Sequence, residues 1–132
     1  MRSRTVLAMI ALAALVAGWW LPVAGGRPGW QAFRVALSPV WPYESFTFTA
    51  WYDAALTIAS GLTNVVFVLA FVDVVVTRRV GVRSMTVVLL AAALVDLHWL
   101  VRAGAQVAQL QVGYYVWLAA FPLLALAARA RA

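Results

Sequence analysis

The sequence predicts an all-α membrane protein: a four-helix transmembrane bundle with a long outer loop between helices 1 and 2. Three observations carry this prediction. The 132 residues are 66% hydrophobic and 11% charged, with mean hydropathy +0.94, whereas soluble domains are about half apolar and about one quarter charged. Four apolar runs approach the roughly 20 residues that cross a bilayer core as a helix. Arginines and aromatic residues gather at opposite ends of those runs. One transmembrane domain, residues 1–132, uses the whole length.

The first span is residues 5–21. Its flank Met1 to Arg4 is basic, and Val23-Ala24-Gly25 has the small residues of a signal-peptide cleavage site. Two features favour an anchor that stays: the run is longer than the about 7–15 apolar residues of a signal peptide, and it ends on the bulky Trp19 and Trp20. The other spans are residues 51–77, 84–101 and 113–128. In hydrocarbon the backbone must satisfy its own hydrogen bonds, so all four are predicted as helices. Pro122 is a candidate kink in the last.

Orientation follows from charge. Arg2, Arg4, Arg78, Arg79, Arg83, Arg129 and Arg131 fall on one side of a four-span arrangement, and Arg27, Arg34 and Arg102 on the other. The arginine-rich side is expected to be cytoplasmic, which puts both termini in the cytoplasm. Trp19, Trp20, Trp51, Tyr52, Trp99, Tyr114, Tyr115 and Trp117 all lie near the opposite interface, where amphipathic rings are favoured. The expected location is the plasma (inner) membrane. The Ala-, Val- and Arg-rich usage without lysine points toward a GC-rich bacterium.

The outer loop of about 30 residues is long for a compact bundle. Pro22, Gly25, Gly26, Pro28 and Gly29 break any helix at its start. Trp30, Phe33 and Leu37 then share one helical face, with Gln31 and Arg34 off it, as in a short amphipathic helix lying in the interface. Residues 44–49 alternate polar and apolar as an extended piece does, packed over the bundle mouth. The loop reads as a cap over the helix ends, or as a partner-docking surface presenting Trp30, Phe33, Trp41, Tyr43, Phe46 and Phe48.

Small residues allow membrane helices to approach closely. Ala13 with Ala17, Ala14 with Gly18, the group Ala55, Ala59, Ser60 and Gly61, and Ala91 to Ala93 are candidate seams.

Polar residues inside a span are costly, so each is a functional candidate. Asp96 sits about 7 Å inside the outer end of span three. It must find a hydrogen-bond partner, for which Thr57 and Trp117 stand at matching depth, or else hold a proton or a cation. His98, two positions on, faces another way and can share a face with Arg102. Asn64 lies near mid-membrane and is expected to bond across helices. Asp73 is placed to pair with Arg78 and Arg79. Asp96, His98, Asn64 and Asp73 therefore form the candidate intramembrane polar set.

Absent features narrow the function. Cysteine is lacking, which removes disulfides, thiolate metal sites and cysteine nucleophiles. No phosphate-binding, nucleophile-elbow, zinc-protease or dinucleotide motif is present. The expectation is no cofactor, no metal and no catalytic residue. The net charge of +6 is distributed between apolar runs, so it suits topology and anionic lipid rather than nucleic acid.

The run Gly113-Tyr114-Tyr115-Val116-Trp117-Leu118-Ala119-Ala120-Phe121 resembles the last span of many small bacterial four-helix membrane proteins. Gly61-Leu62-Thr63-Asn64, followed by an apolar run and an arginine-rich turn, is similar to their second span. The resemblance covers about half the chain and implies a fold without an activity.

The leading functional expectation is an accessory or scaffold subunit of a membrane complex, or a structural envelope protein. Its expected partners are the lipid bilayer and other membrane subunits or further copies of itself. The alternative is a small oligomeric transporter or channel using Asp96 and Asn64. A third reading is a membrane enzyme with Glu44, Asp53, Asp96 and His98 at the outer face.

Overall fold

The computed structural model describes residues 2–43, 50–77 and 83–130. Among them are five α-helices, four of them long and apolar enough to cross a membrane.

Helix α1 (Arg2–Trp20) is an apolar run that stops where Pro22 disfavours helical geometry at the preceding residue. Its buried positions are Arg4, Ala8, Ala11, Leu15 and Gly18. They recur at alternating spacings of four and three, so they form one stripe along the helix. Of the candidate seams, Ala14 and Gly18 face the neighbours while Ala13 is exposed.

The chain then turns sharply. Strands β1 (Pro22–Ala24) and β2 (Arg27–Pro28) pair antiparallel through a two-residue turn. Both turn residues, Gly25 (φ 56°) and Gly26 (φ 77°), take the positive φ that a tight hairpin needs. A ribbon this short is marginal alone, and the segment before α5 steadies it. The Gln111 amide donates to the Val23 carbonyl at 2.9 Å. The Gly26 amide donates to Gln111 Oε1 at 2.9 Å, and Ala24 bridges to Leu110.

Helix α2 (Gly29–Ala36) starts after Pro28 and leans on α1 and α3. Gly29 permits the approach: a Cβ there would lie 2.2 Å from the Gly18 carbonyl oxygen. Phe33 packs on Trp19 with ring centroids 5.3 Å apart, and Leu37 fills the space beside Gly61.

Helix α3 (Trp51–Val72) continues as a π-helical stretch, Asp73–Thr77. Helix α4 (Arg83–Ala103) and helix α5 (Val112–Arg129) are joined through a 3-10 turn, Gly104–Gln109. Helix α5 runs through Pro122, whose side is exposed. Counting the π-helical continuation with α3, the predicted spans agree with these helices to within three residues at every boundary.

The most extensive helix packing is between α1 and α5, followed by α4 with α5 and then α3 with α4. The shared core is apolar. Phe67 and Phe121 meet edge to face at 5.5 Å, and Leu89 and Leu124 are fully buried beside them. Ala8, Ala11, Ala120, Ala125 and Ala128 bring the backbones close. Outward faces stay apolar and uncovered, with Leu94 68% and Val101 83% exposed. The bundle thus has an aromatic end, marked by Trp19, Trp51, Trp99 and Trp117, and an arginine end, marked by Arg4, Arg83 and Arg129.

Candidate functional site

The polar candidates converge on one stretch of α3, Ser60 to Asn64, near the aromatic end. Ser60 and Asn64 are four apart and so stand one above the other on one face. Both are buried, as are Gly61 and Thr63.

Asn64 is a three-way junction. Its Oδ1 accepts from Trp19 Nε1 on α1 at 3.1 Å and from Trp117 Nε1 on α5 at 2.9 Å. Its Nδ2 donates to the Gly61 carbonyl at 3.2 Å. One carbonyl oxygen with two lone pairs therefore satisfies two indoles from two helices. The predicted cross-helix bonding of Asn64 is present.

Asp96 on α4 is fully buried. Ser60 Oγ donates to its Oδ1 at 2.7 Å, and Trp99 Nε1 in turn donates to Ser60 Oγ at 2.9 Å. Thr63 Oγ1 divides its single proton between the Ser60 carbonyl at 2.6 Å and Asp96 Oδ1 at 3.2 Å. Tyr114 on α5 donates to the Asp96 main-chain oxygen at 2.8 Å. Asp96 Oδ2 is buried and finds no hydrogen-bond partner among the described residues. That oxygen is the one place in the cluster with capacity left for a proton or a cation.

The partners expected for Asp96 are corrected. Thr57 instead bonds back to the Asp53 carbonyl one turn earlier, at 2.7 Å, a local option open to threonine in a helix. Trp117 is taken by Asn64. Ser60 and Thr63, roughly one and two turns further along α3, supply the hydroxyls.

The other candidates lie apart. His98 bonds through Nδ1 to the Val95 carbonyl, and its ring lies tilted against Trp99 with centroids 4.5 Å apart. Arg102, which shares its face, pairs with Asp53 across to α3 at 3.3 Å. Asp73 begins the π-helical stretch, roughly 13 Å along the axis from Asn64, so it does not join the cluster. Its expected partners Arg78 and Arg79 lie outside the described residues. Among the described residues no three His, Asp or Glu side chains gather as metal ligands would.

In the loop, Glu44, Phe46 and Phe48 lie outside the described residues, as does the whole extended piece 44–49. Trp30 does not share the environment of Phe33 and Leu37, with which it was expected to share one helical face. Phe33 and Leu37 face the bundle while Trp30 is exposed. Trp41 is exposed as well, and the Arg34 guanidinium sits 3.4 Å from the Trp41 ring centre and 5.0 Å from that of Tyr43.

Above the cluster is a cleft of about 360 Å³ enclosed by α1, the hairpin, α2, α3 and the start of α5. Ser60, Gly61 and Asn64 form its floor. Trp19, Phe33, Val23 and Trp117 give it largely apolar walls, and Arg27 lines it from β2. The volume is at the small end of the about 300–1,000 Å³ usual for ligand pockets.

Residue reasoning marked Asn64 and Asp96 but missed Ser60, Trp99 and Tyr114 as their companions. For Trp99 and Tyr114 the available signal was a polar ring atom at the aromatic end of the span; Ser60, well inside α3, offered only its hydroxyl. No known protein family, curated protein or solved structure matches this chain.

Proposed function

We propose that this chain is a multi-pass protein of a bacterial plasma (inner) membrane, crossing four times with both termini in the cytoplasm. We further propose that it serves as an accessory or scaffold subunit of a membrane complex, or as a structural envelope protein. The carrying observation is the division of its surface. Polar side chains of α3 and α4 turn inward and bond to one another, while the outward faces are apolar along the helices. Such faces are covered only by lipid or by the helices of other subunits.

Extraction from the native membrane in mild detergent tests the role. A particle heavier than the chain, containing other subunits, is the expected result. A lone monomer that moves a solute unaided contradicts it.

A second reading is favoured by one observation, the unpartnered Asp96 Oδ2. In that reading several copies form a small transporter, with Asp96 holding a proton or cation. Flux through proteoliposomes should then fall after Asp96→Asn, and unchanged flux removes the reading.

A further inference from the structure

We infer that the cleft at the aromatic end holds one acyl chain of an anionic membrane lipid, with the headgroup at Arg27. The inference rests on the membrane placement proposed above, but not on the scaffold role.

Backbone contacts set the frame of the cleft. A Cβ on Gly29 would meet the Gly18 carbonyl oxygen at 2.2 Å, and one on Gly113 would meet the Pro22 carbonyl oxygen at 2.6 Å. Helix α2 and the hairpin are therefore already at closest approach to their neighbours, and the space between them remains open.

The floor has little to offer a hydrophilic guest. Asn64 Oδ1 is occupied by two indoles, and Ser60 Oγ both accepts from Trp99 and donates to Asp96. A resident water needs about two to four polar partners. Apart from Arg27 and Gln109, the side chains that remain facing the space are largely ring and aliphatic surface, which gains from an apolar occupant. At roughly 30 Å³ per water-sized group, the cleft takes about a dozen methylene-sized groups, a single chain rather than two.

Arg27 decides the headgroup. Its guanidinium can meet a phosphate with two parallel hydrogen bonds. Tryptophans ring this end, at the level where headgroups sit in the proposed placement.

The test uses full-length protein in mild non-ionic detergent, stripped of co-purified lipid. It is titrated with phosphatidylglycerol or phosphatidylcholine of identical chains, and bound lipid is counted by native mass spectrometry. We expect one phosphatidylglycerol retained per chain, preferred over phosphatidylcholine by about five-fold, as one basic side chain at a lipid surface would give. Arg27→Gln should erase the preference. Arg102→Gln, which removes a charge outside the cleft, should keep it. Ala32→Trp, which fills the cleft from α2, should abolish retention of both lipids with the thermal unfolding midpoint unchanged. Inorganic phosphate should not compete. Equal retention of the two lipids, or selectivity that survives Arg27→Gln, overturns the headgroup assignment. Full retention by folded Ala32→Trp, or displacement by phosphate alone, overturns the acyl-chain site. Neither outcome alters the detergent-particle mass by which the scaffold role is judged.

Discussion

Around Ser60 and Asn64 the helices meet through hydrogen bonds, whereas around Phe67 and Phe121 they meet through rings, leucines and alanines. At the aromatic end, Asn64 joins α1, α3 and α5, and Asp96 joins α3, α4 and α5. Toward the arginine end, Phe67, Leu89, Phe121 and Leu124 are fully buried in one apolar cluster. In a bilayer, lipid tails are as apolar as leucine, so packing alone gives little preference for one helix arrangement over another. Hydrogen bonds have direction and fixed partners. The apolar end therefore contributes contact area, and the aromatic end fixes which helix faces which.

This contrast can be broken from either side. The largest effect is expected at the apolar end. Phe121→Ala removes a fully buried ring in contact with Phe67 and Trp117, and should destabilise by about 3–5 kcal/mol on the scale of buried aromatic truncations. Unfolding in increasing SDS measures it.

Next comes Asn64→Leu, similar in size but without an acceptor. Two indole N–H groups lose their partner, so a loss of about 2 kcal/mol is expected, given about 1–3 kcal/mol per orphaned buried donor and the smaller values found inside membranes. A double-mutant cycle with Trp117→Phe should return a coupling of about 1 kcal/mol. Additivity between the two would mean that the bond to Trp117 is not formed.

Asp96→Asn should be milder, below about 1 kcal/mol, because the amide oxygen can still accept from Ser60 and Thr63. Asp96→Leu should cost more than Asp96→Asn in the same assay. The reverse order would show that the buried carboxyl is a liability to the fold. The smallest effect is expected from Arg102→Gln. Its partner Asp53 and Arg102 itself are both partly exposed, and such pairs contribute about 0–1 kcal/mol.

Much of this arrangement is legible in the residues. Hydrophobic length and the arginine flanks locate all four long helices, because both follow from local composition. Asn64 is readable as a cross-helix hydrogen-bonding residue because an amide at that depth has few alternatives; only its Oδ1 reaches the other helices, while its Nδ2 turns back to Gly61. The partners of Asp96 are less so. Depth alone offered Thr57 and Trp117, but Thr57 satisfies itself on its own helix and Trp117 is claimed by Asn64. Choosing among candidates at one level requires helix rotation, which composition does not encode.

The hairpin was missed for a different reason. The Gly25-Gly26 pair is a strong turn signal, yet the strands are three and two residues long and are stabilised by Gln111, far along the chain. The Asp53–Arg102 pair is likewise long-range, and local reasoning gave Arg102 to His98 instead. The cleft follows from the position of α2, which rests on glycine contacts between distant segments.

Exchange of the tryptophan indole protons with deuterium in detergent, followed by NMR, tests most directly whether Asn64 organises the aromatic end. Trp20 and Trp51 are exposed and serve as fast references, while Trp19, Trp99 and Trp117 donate to buried acceptors. Slow exchange is expected for those three, with selective loss of protection at Trp19 and Trp117, and Trp99 kept, in Asn64→Leu. Equal exchange of all the indoles in the unmodified protein, or an Asn64→Leu variant that leaves Trp19 and Trp117 protected, would contradict that role for Asn64.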